Sequence, residues 1–227
     1  MTSSFDAYGS SYGDVVQRSI AFSGLKHDVF LRAKVRVLSE LFGRHFPARR
    51  PALLDVGCGV GAMHDLIRPI AGPLGGCDPS GESLAAARLR HPDIDYRQQT
   101  DETLPWPDAA FDTSLAVCVF HHVAPERREA LLAEMRRVTR PGGLVVLMEH
   151  NPWNPLTRLA VARCPFDDDA VLLDAREARG LLRGGGLHGI RSRHFLALPS
   201  DERWAGILER PLGQLPLGAQ YVAYGRV

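Results

Sequence analysis

The chain is predicted to fold as an α/β domain, a doubly wound sheet of mostly parallel strands with helices on both faces. Two observations carry this expectation. Apolar runs of strand length alternate with helix-length stretches from about residue 50 to 150, and such alternation builds parallel strands through right-handed crossovers. The first run, Leu53-Leu54-Asp55-Val56, also passes directly into Gly57-Cys58-Gly59-Val60-Gly61. Glycines at alternate positions allow a tight turn and a close backbone approach to a ligand. With Ala62 to Ile67 continuing as a helix, strand, turn and helix make a nucleotide-binding corner.

The elements follow in order. Residues 1 to 14 are polar and carry Tyr8, Gly9, Tyr12 and Gly13; this segment is expected to order when a ligand binds. A helix is predicted from about Val29 to Phe42, where Phe30, Ala33, Val37, Leu38 and Leu41 recur at helical spacing. The basic, proline-bounded stretch from His45 to Pro51 leads into the first strand. Leu74-Gly75-Gly76-Cys77 forms the second strand and ends on Asp78, after which Pro79-Ser80 turns into a helix from Gly81 to Leu89. Leu104-Pro105-Trp106-Pro107-Asp108-Ala109-Ala110-Phe111-Asp112 precedes an apolar strand from Thr113 to Phe120. A helix ending on Arg136-Arg137-Val138 is closed by Arg140-Pro141-Gly142-Gly143, and Leu144 to Met148 is the next strand. Asp174 is placed to cap a helix from Ala175 to Leu182, which Gly184-Gly185-Gly186 would stop. Strands at about Ile190 to Ala197 and Gln220 to Arg226 complete the sheet. No repeat or low-complexity linker divides the chain, so 1–227 is expected to be one domain: a lid and helical segment (1–46), a cofactor-binding core (50–150), and an acceptor wall with the last strands (151–227).

Bulk properties narrow the partners. A chain of 227 residues, 45% hydrophobic and 23% charged, suits an ordinary globular domain with one substantial core. A net charge of +1 gives no reason to expect a nucleic-acid partner, and pairs such as Arg127-Arg128 sit among glutamates on a solvated helix face. No apolar run reaches the length of a membrane span and no leader opens the chain, so a cytoplasmic monomer or homodimer without membrane contact is expected. Cys58, Cys77, Cys118 and Cys164 show no C-x-x-C pairing; neither a disulfide framework nor a metal site is expected.

The choice of nucleotide turns on the acids. Gly57, Gly59 and Ala62 satisfy the loose spacing of a dinucleotide loop, but a pyrophosphate avoids negative charge. Asp55, just before the loop, suits a ligand with a cationic amino-acid end. Asp78 falls where a carboxylate takes both ribose hydroxyls. The ordered set D-V-G-C-G-V-G, Asp78, L-P-W-P-D-x-x-F-D and R-P-G-G resembles the class I S-adenosylmethionine-dependent methyltransferases, in detail over about residues 50 to 150. The resemblance implies a Rossmann-like, seven-stranded three-layer sandwich with its last strand antiparallel. It also implies S-adenosylmethionine bound by Asp55, Gly57, Cys58, Gly59, Gly61, Asp78, Pro79 and Val117, with Thr100, Asp101 and Glu102 flanking the adenine. Family members often carry an aspartate at the position of Thr100; here Asp101 or a backbone group is left to take that contact.

Methyl transfer is an in-line displacement, in which the protein positions the acceptor and, where needed, removes its proton. His121 and His122, at the end of the fourth strand, and His150, at the end of the fifth, are candidate catalytic groups; a loop histidine that merely packs beside the cofactor is the plainer alternative. Some quinone-pathway methyltransferases carry carboxylates for a metal near this position, where this chain has Cys118 and His121. Tyr8, Tyr12, His27, Asn151 and Trp153 are candidate contacts to a small-molecule acceptor. Asn151 and Asn154 also suit turn-capping roles, Glu149 suits a pair with Arg158, and Asp167-Asp168-Asp169 reads as a helix cap. Two other functions share the glycine turn: a nicotinamide-dependent oxidoreductase, and a protein that uses the bound cofactor for a non-transfer reaction.

Overall fold

The structure, a computed structural model, describes residues 12–23, 26–100, 103–198, 207 and 211–227. Seven strands form one sheet: β1 (Leu53–Val56), β2 (Leu74–Asp78), β3 (Asp95–Gln98), β4 (Phe111–Val117), β5 (Thr139–His150), β6 (His188–Phe195) and β7 (Gln220–Arg226). Their spatial order is β3-β2-β1-β4-β5-β7-β6. β1 to β5 pair in parallel, and β7 inserts antiparallel between β5 and β6. This is the Rossmann-like arrangement expected from the sequence, antiparallel last strand included. The order reverses between β1 and β4, so a cleft opens at the carboxyl ends of those two strands.

Strand alternation sorts the core into two layers. Leu54, Val56, Ala116, Val145 and Leu147 point to one face, where they meet Leu132, Met135 and Val138 of α5 (Arg128–Val138) and Ala178 and Leu182 of α7 (Ala175–Gly184). Leu53, Leu115, Leu144, Val146 and Met148 point to the other and meet Leu31, Val37, Leu38, Leu41 and Phe42 of α2 (His27–His45). Helix, sheet and helix therefore form three layers. Asp55, two residues after Leu53, lies on the α2 face by the same alternation, and Glu149, two after Leu147, on the α5 face. A third cluster joins Leu84 and Ala87 of α4 (Gly81–Arg90) to Ile94 and Tyr96.

Four local differences from the sequence expectation have physical causes. The fourth strand stops at Val117, because Cys118 takes a left-handed conformation (φ 57) and the next two amides turn onto the Glu149 carboxylate. β5 starts early, at Thr139, with a bulge: pairing jumps from Phe111–Thr139 to Thr113–Leu144, and Arg140 to Gly143 supply the extra length. A Cβ on Gly143 would lie 2.5 Å from the Asp112 carbonyl. The helix after the glycine turn is a single turn, α3 (His64–Ile67). Two helices add to the expected set: α1 (Tyr12–Ser19) and α6 (Pro155–Val161), the latter capped by the Asn154 side chain, which accepts from the amides of Leu156 and Thr157. Asp174 caps α7 through a reciprocal pair with Glu177, as its position predicts.

Candidate functional site

The glycine turn sits at the strand-order reversal, and its three glycines do three different things. Gly57 (φ 71) lies against Val119, where a Cβ would come within 2.5 Å of a Val119 methyl. Gly61 (φ 67) lies against buried polar groups, with a Cβ position 2.8 Å from the Tyr96 hydroxyl and 3.0 Å from His64 Nδ1. Gly59 (φ 52) has nothing within 4 Å of its Cβ position: it faces the open cleft. The Cys58 side chain turns away from the cleft and packs against the α4–β3 cluster, so its part in the turn is played by backbone; burial pushes its thiol well up.

The turn does not offer a row of amides to an anion. Gly57 N and Cys58 N both donate to the Cys77 carbonyl, at 2.8 and 2.9 Å, and Gly61 N donates to Cys58 O. Gly59 N donates to the Asp78 carboxylate at 2.8 Å. With a carboxylate on the central amide and three more amides bonded to carbonyls, a pyrophosphate meets few donors and an unfavourable field. Asp78, buried, accepts from Ser80 N as well, at 2.9 Å. An ionised carboxylate has about four acceptor sites, so two bonds to backbone fix its plane while it faces the cleft side of the turn. Pro79 follows, its carbonyl accepting from the Gln98 side chain.

Asp55 is buried and tied into a polar network that the sequence pattern does not announce. His64 Nε2 lies 3.0 Å from Asp55 Oδ2, and His64 Nδ1 lies 2.5 Å from the Tyr96 hydroxyl. An ionised Asp55 is acceptor-only, so His64 donates to it through Nε2–H and accepts the Tyr96 proton on Nδ1. His64 is wholly buried, and His91 closes the group by bonding the Gly61 carbonyl. Spacing offers a weak signal for this network: His64 opens a helix of two polar and two apolar residues, and Tyr96 is the one aromatic in a polar strand.

The second polar group gathers where β4 and β5 end. Glu149 Oε1 accepts from the amides of Val119 and Phe120, and Glu149 Oε2 accepts from His121 Nδ1 at 2.6 Å. Asp167, at the end of a short 3-10 turn, lies 3.5 Å from His121 Nε2 and 3.3 Å from His122 Nε2. The His121 and His150 rings are 5.1 Å apart. Burial works against a charge on His121, but Glu149 and Asp167 outweigh it and raise its pKa to about 10. The same contacts hold Glu149 and Asp167 below the usual carboxylate range. Cys118, half-buried, is 3.6 Å from Lys34 Nζ; burial alone would raise its pKa, but Lys34 and His150 bring it down to about 7.

Two expectations for this region are corrected. Glu149 pairs with His121, not Arg158, because strand alternation directs it to the α5 face. Asp167 caps no helix: Asp174 does that, and Asp167 turns onto the two histidines. His121, His122 and Asp167 each bring a donor atom within 4.8 Å of the others, where the sequence suggested no metal-ligating set.

The remaining expected contacts are spread out. Asn151, fully buried, donates to the carbonyls of Pro216 and Gly218 and accepts from Trp153 N; its carboxamide holds a loop and is not turned to an acceptor. Trp153 is exposed, bonds Asp174 at 3.3 Å, and lines an open cleft of about 400 Å³ with Arg176, Arg179 and His194 beside α7. His27 begins α2, where burial foremost, then Lys34, lowers its pKa to about 4. Val117 packs against the α2-side core at the end of β4. Thr100 is exposed and bonds Thr103. Tyr8, Asp101 and Glu102 lie outside the described residues; Tyr12 opens α1, with its side chain outside them.

A seven-stranded sheet in this order, with carboxylates at β1 and β2 flanking a glycine turn at the reversal, defines the class I S-adenosylmethionine-dependent methyltransferase fold. Comparison with known proteins agrees. Residues 54–147 match the methyltransferase domain family. A probable S-adenosylmethionine-dependent methyltransferase of Mycolicibacterium smegmatis is 27% identical over 154 residues, 63% of this chain and 59% of that protein. A ubiquinone biosynthesis O-methyltransferase of Bradyrhizobium is 37% identical over 103 residues, 44% of this chain and 40% of that one. The chain thus spans about half the length of these relatives. The solved structure of a methyltransferase from Thermotoga maritima shares the fold with a TM-score of 0.65 at 20% identity, covering 98% of this chain and 97% of that one. Residues 54–147 thus carry a methyltransferase-domain match, on the fold shared by solved S-adenosylmethionine-dependent methyltransferases.

Proposed function

We propose that this protein transfers the methyl group of S-adenosylmethionine to a small-molecule acceptor that gives up a proton on methylation, a hydroxyl or an amine. One observation carries the cofactor reading: two buried carboxylates, Asp55 and Asp78, flank a turn in which the amides of Gly57, Cys58, Gly59 and Gly61 are already bonded. Such a site favours a cationic nucleoside with a free diol and disfavours a dinucleotide phosphate. In this reading Asp78 takes the ribose hydroxyls and Asp55 faces the ammonium end, directly or through water. The backbone of Gly57, Cys58, Gly59 and Gly61 gives close approach, and Pro79, Val117 and the 100–102 stretch flank the nucleoside. The sulfonium is itself an excellent electrophile, so the protein's share is orientation and proton removal.

The acceptor end is the histidine–carboxylate cluster. His121 is held by Glu149 and Asp167 as a positioning group, while His122, with 17% of its side chain exposed, is the member assigned to the acceptor in this reading. His150, half-buried beside Cys118, borders the same end. Tyr8, Tyr12 and His27 belong to the segment that covers the acceptor in this proposal, and Trp153 lies too far round toward α7 to line it. The reading includes no nucleic-acid partner, in line with a net charge of +1, and no helix among the described residues is long and apolar enough to cross a membrane.

Calorimetric titration of the purified protein, stripped of bound ligand, with S-adenosylhomocysteine and separately with NADH tests the proposal. Saturable one-site binding of the homocysteine nucleoside is expected. Binding of NADH in its place would overturn the proposal and bring forward an oxidoreductase. Binding without methyl transfer to any hydroxyl or amine acceptor would bring forward a non-transfer use of the cofactor.

A further inference from the structure

We propose that His121 Nε2, His122 Nε2 and an Asp167 carboxylate oxygen form a binding site for one divalent transition-metal ion of the zinc type. Its use in methylation rests on the proposed function above; its existence does not.

Four independent features support the site. First is the spacing. Asp167 Oδ1 stands 3.5 Å from His121 Nε2 and 3.3 Å from His122 Nε2. These are long for charge-assisted hydrogen bonds, which run at roughly 2.7–2.9 Å. Ligands held about 2.1 Å from a tetrahedral ion stand about 3.4 Å apart, which matches both distances. Second is the donor set: two imidazoles and one carboxylate suit zinc, iron, cobalt or manganese better than magnesium or calcium. Third is the ring orientation. Glu149 accepts from His121 Nδ1–H at 2.6 Å, which turns Nε2 toward Asp167; an ion bound there would take the place of the Nε2 proton. A carboxylate behind a metal-ligating histidine commonly orients the ring in this way and raises its basicity. Glu149 is itself fixed by the amides of Val119 and Phe120.

Fourth is rigidity across the two segments that supply the donors. Val171 N donates to the His121 carbonyl at 2.8 Å. Arg128, buried, donates through Nε to the carbonyls of Phe120 and Val123, and through Nη2 to that of Val171. The loop bearing Asp167 is therefore tied to the turn bearing both histidines before any ligand arrives. A chain folded only to satisfy an ion pair has no need for two adjacent rings, 4.1 Å apart at their centroids, facing one carboxylate. Three protein ligands leave a coordination position open. His122 is the most exposed ligand of the three, so that position lies on the side that the proposed function assigns to the acceptor. An ion there would bind an acceptor oxygen or nitrogen and ease its deprotonation.

The test is a Co2+ titration of the full chain, stripped with chelator, followed by visible absorption, with Zn2+ added as competitor. The same preparation is titrated with S-adenosylhomocysteine, and circular dichroism checks the fold of every variant. Saturation at one Co2+ per chain, with the intense bands of a four-coordinate ion and displacement by Zn2+, is expected. Asp167→Asn and His122→Gln should each weaken uptake at least about tenfold, and Glu149→Gln by about 10–100-fold. His188→Ala, at an exposed position outside the site, should leave it unchanged. Glu149 also holds backbone, so if its variant misfolds, the other two decide. No saturable uptake, or uptake indifferent to Asp167→Asn and His122→Gln, overturns the site. Retained binding of S-adenosylhomocysteine in that case leaves the methyltransferase reading standing. Metal uptake that responds to both substitutions, in a chain that binds no nucleoside, supports the site and overturns the cofactor reading instead.

Discussion

The Asp55–His64–Tyr96 network makes a quantitative prediction. Tyr96→Phe removes one oxygen and leaves His64 Nδ1, wholly buried, without the partner it has at 2.5 Å. An unsatisfied buried acceptor costs about 1–3 kcal/mol, and the ring itself stays in place over Gly76 and Gly61. His64→Leu strips both Asp55 and Tyr96 of their bond, and an uncompensated buried charge costs more, about 3–5 kcal/mol. The two losses share one bond, so they should not add. In the His64→Leu background, Tyr96→Phe removes a hydroxyl that already lacks its acceptor, and should be near neutral or stabilising. Urea unfolding of the wild type, both single variants and the double variant gives the cycle directly. A coupling energy of about 1–3 kcal/mol is expected. Additivity within about 0.5 kcal/mol would refute the bond and, with it, the tautomer assigned to His64.

Other predictions follow from the same region and from the sheet's far end. Gly57→Ala should cost about 1–3 kcal/mol of stability through left-handed strain and the Val119 clash, whereas Gly59→Ala should cost about 1 kcal/mol and chiefly abolish S-adenosylhomocysteine binding, because its Cβ enters the open cleft; comparable losses of both properties in both variants would count against these separate roles. Asp55→Asn, with the amide able to donate toward an ammonium group, should weaken nucleoside binding by about 1.5–3 kcal/mol, roughly 10- to 150-fold, by calorimetry. Asp112, buried among Arg49, Arg140 and the Ala52 amide, has its pKa lowered from 3.8 to about 2, Arg49 being the main cause. A depressed acid stabilises the fold above its unfolded value and loses that contribution as pH falls from about 4 to 2; with Arg49 half-exposed to solvent, about 1–2 kcal/mol is at stake. Asp112→Asn should flatten the acid limb of the stability profile over that window, and an unchanged limb would contradict the pairing.

Most of the fold was legible because most elements carried a local signal of their own. The apolar runs of β1 and β5 mark strands buried on both faces, and the helical period in α2 sets which of its faces is buried, as the packing has it. Asp174 announced α7 because a cap is a local bond, made within three residues. Two of the departures lie where a distant group overrules the local signal. Thr113 to Phe120 reads as one apolar strand, yet Glu149, from a neighbouring strand, takes the amides of Val119 and Phe120 and ends it early. The bulge of Arg140 to Gly143 depends on register with β4, which no local pattern encodes.

The site divides along the same line. The cofactor end was readable because a glycine turn and the acids beside it are contiguous in sequence: Asp55 is two residues from Gly57, and Asp78 is the last residue of the next strand. The acceptor end is assembled from three separate segments, 118–122, 149–150 and 167, and spacing along the chain says nothing about their meeting. His121 and His122 could be singled out by their place at a strand end, but their chemistry depends on which carboxylates face them. Asp167 sits in a run of three aspartates, and any of them fits a turn equally well. What selects Asp167 is the backbone bond from Val171 to His121 together with the Arg128 side chain, which fold the loop back over the histidines. The consequence is testable beyond the metal itself: Arg128→Lys keeps the charge but loses the planar fork that joins Phe120, Val123 and Val171. It should therefore weaken Co2+ uptake while leaving S-adenosylhomocysteine affinity intact, since none of its contacts reaches the glycine turn. Equal loss of both would mean that Arg128 supports the sheet as a whole, and that the two ends of the cleft are not separately built.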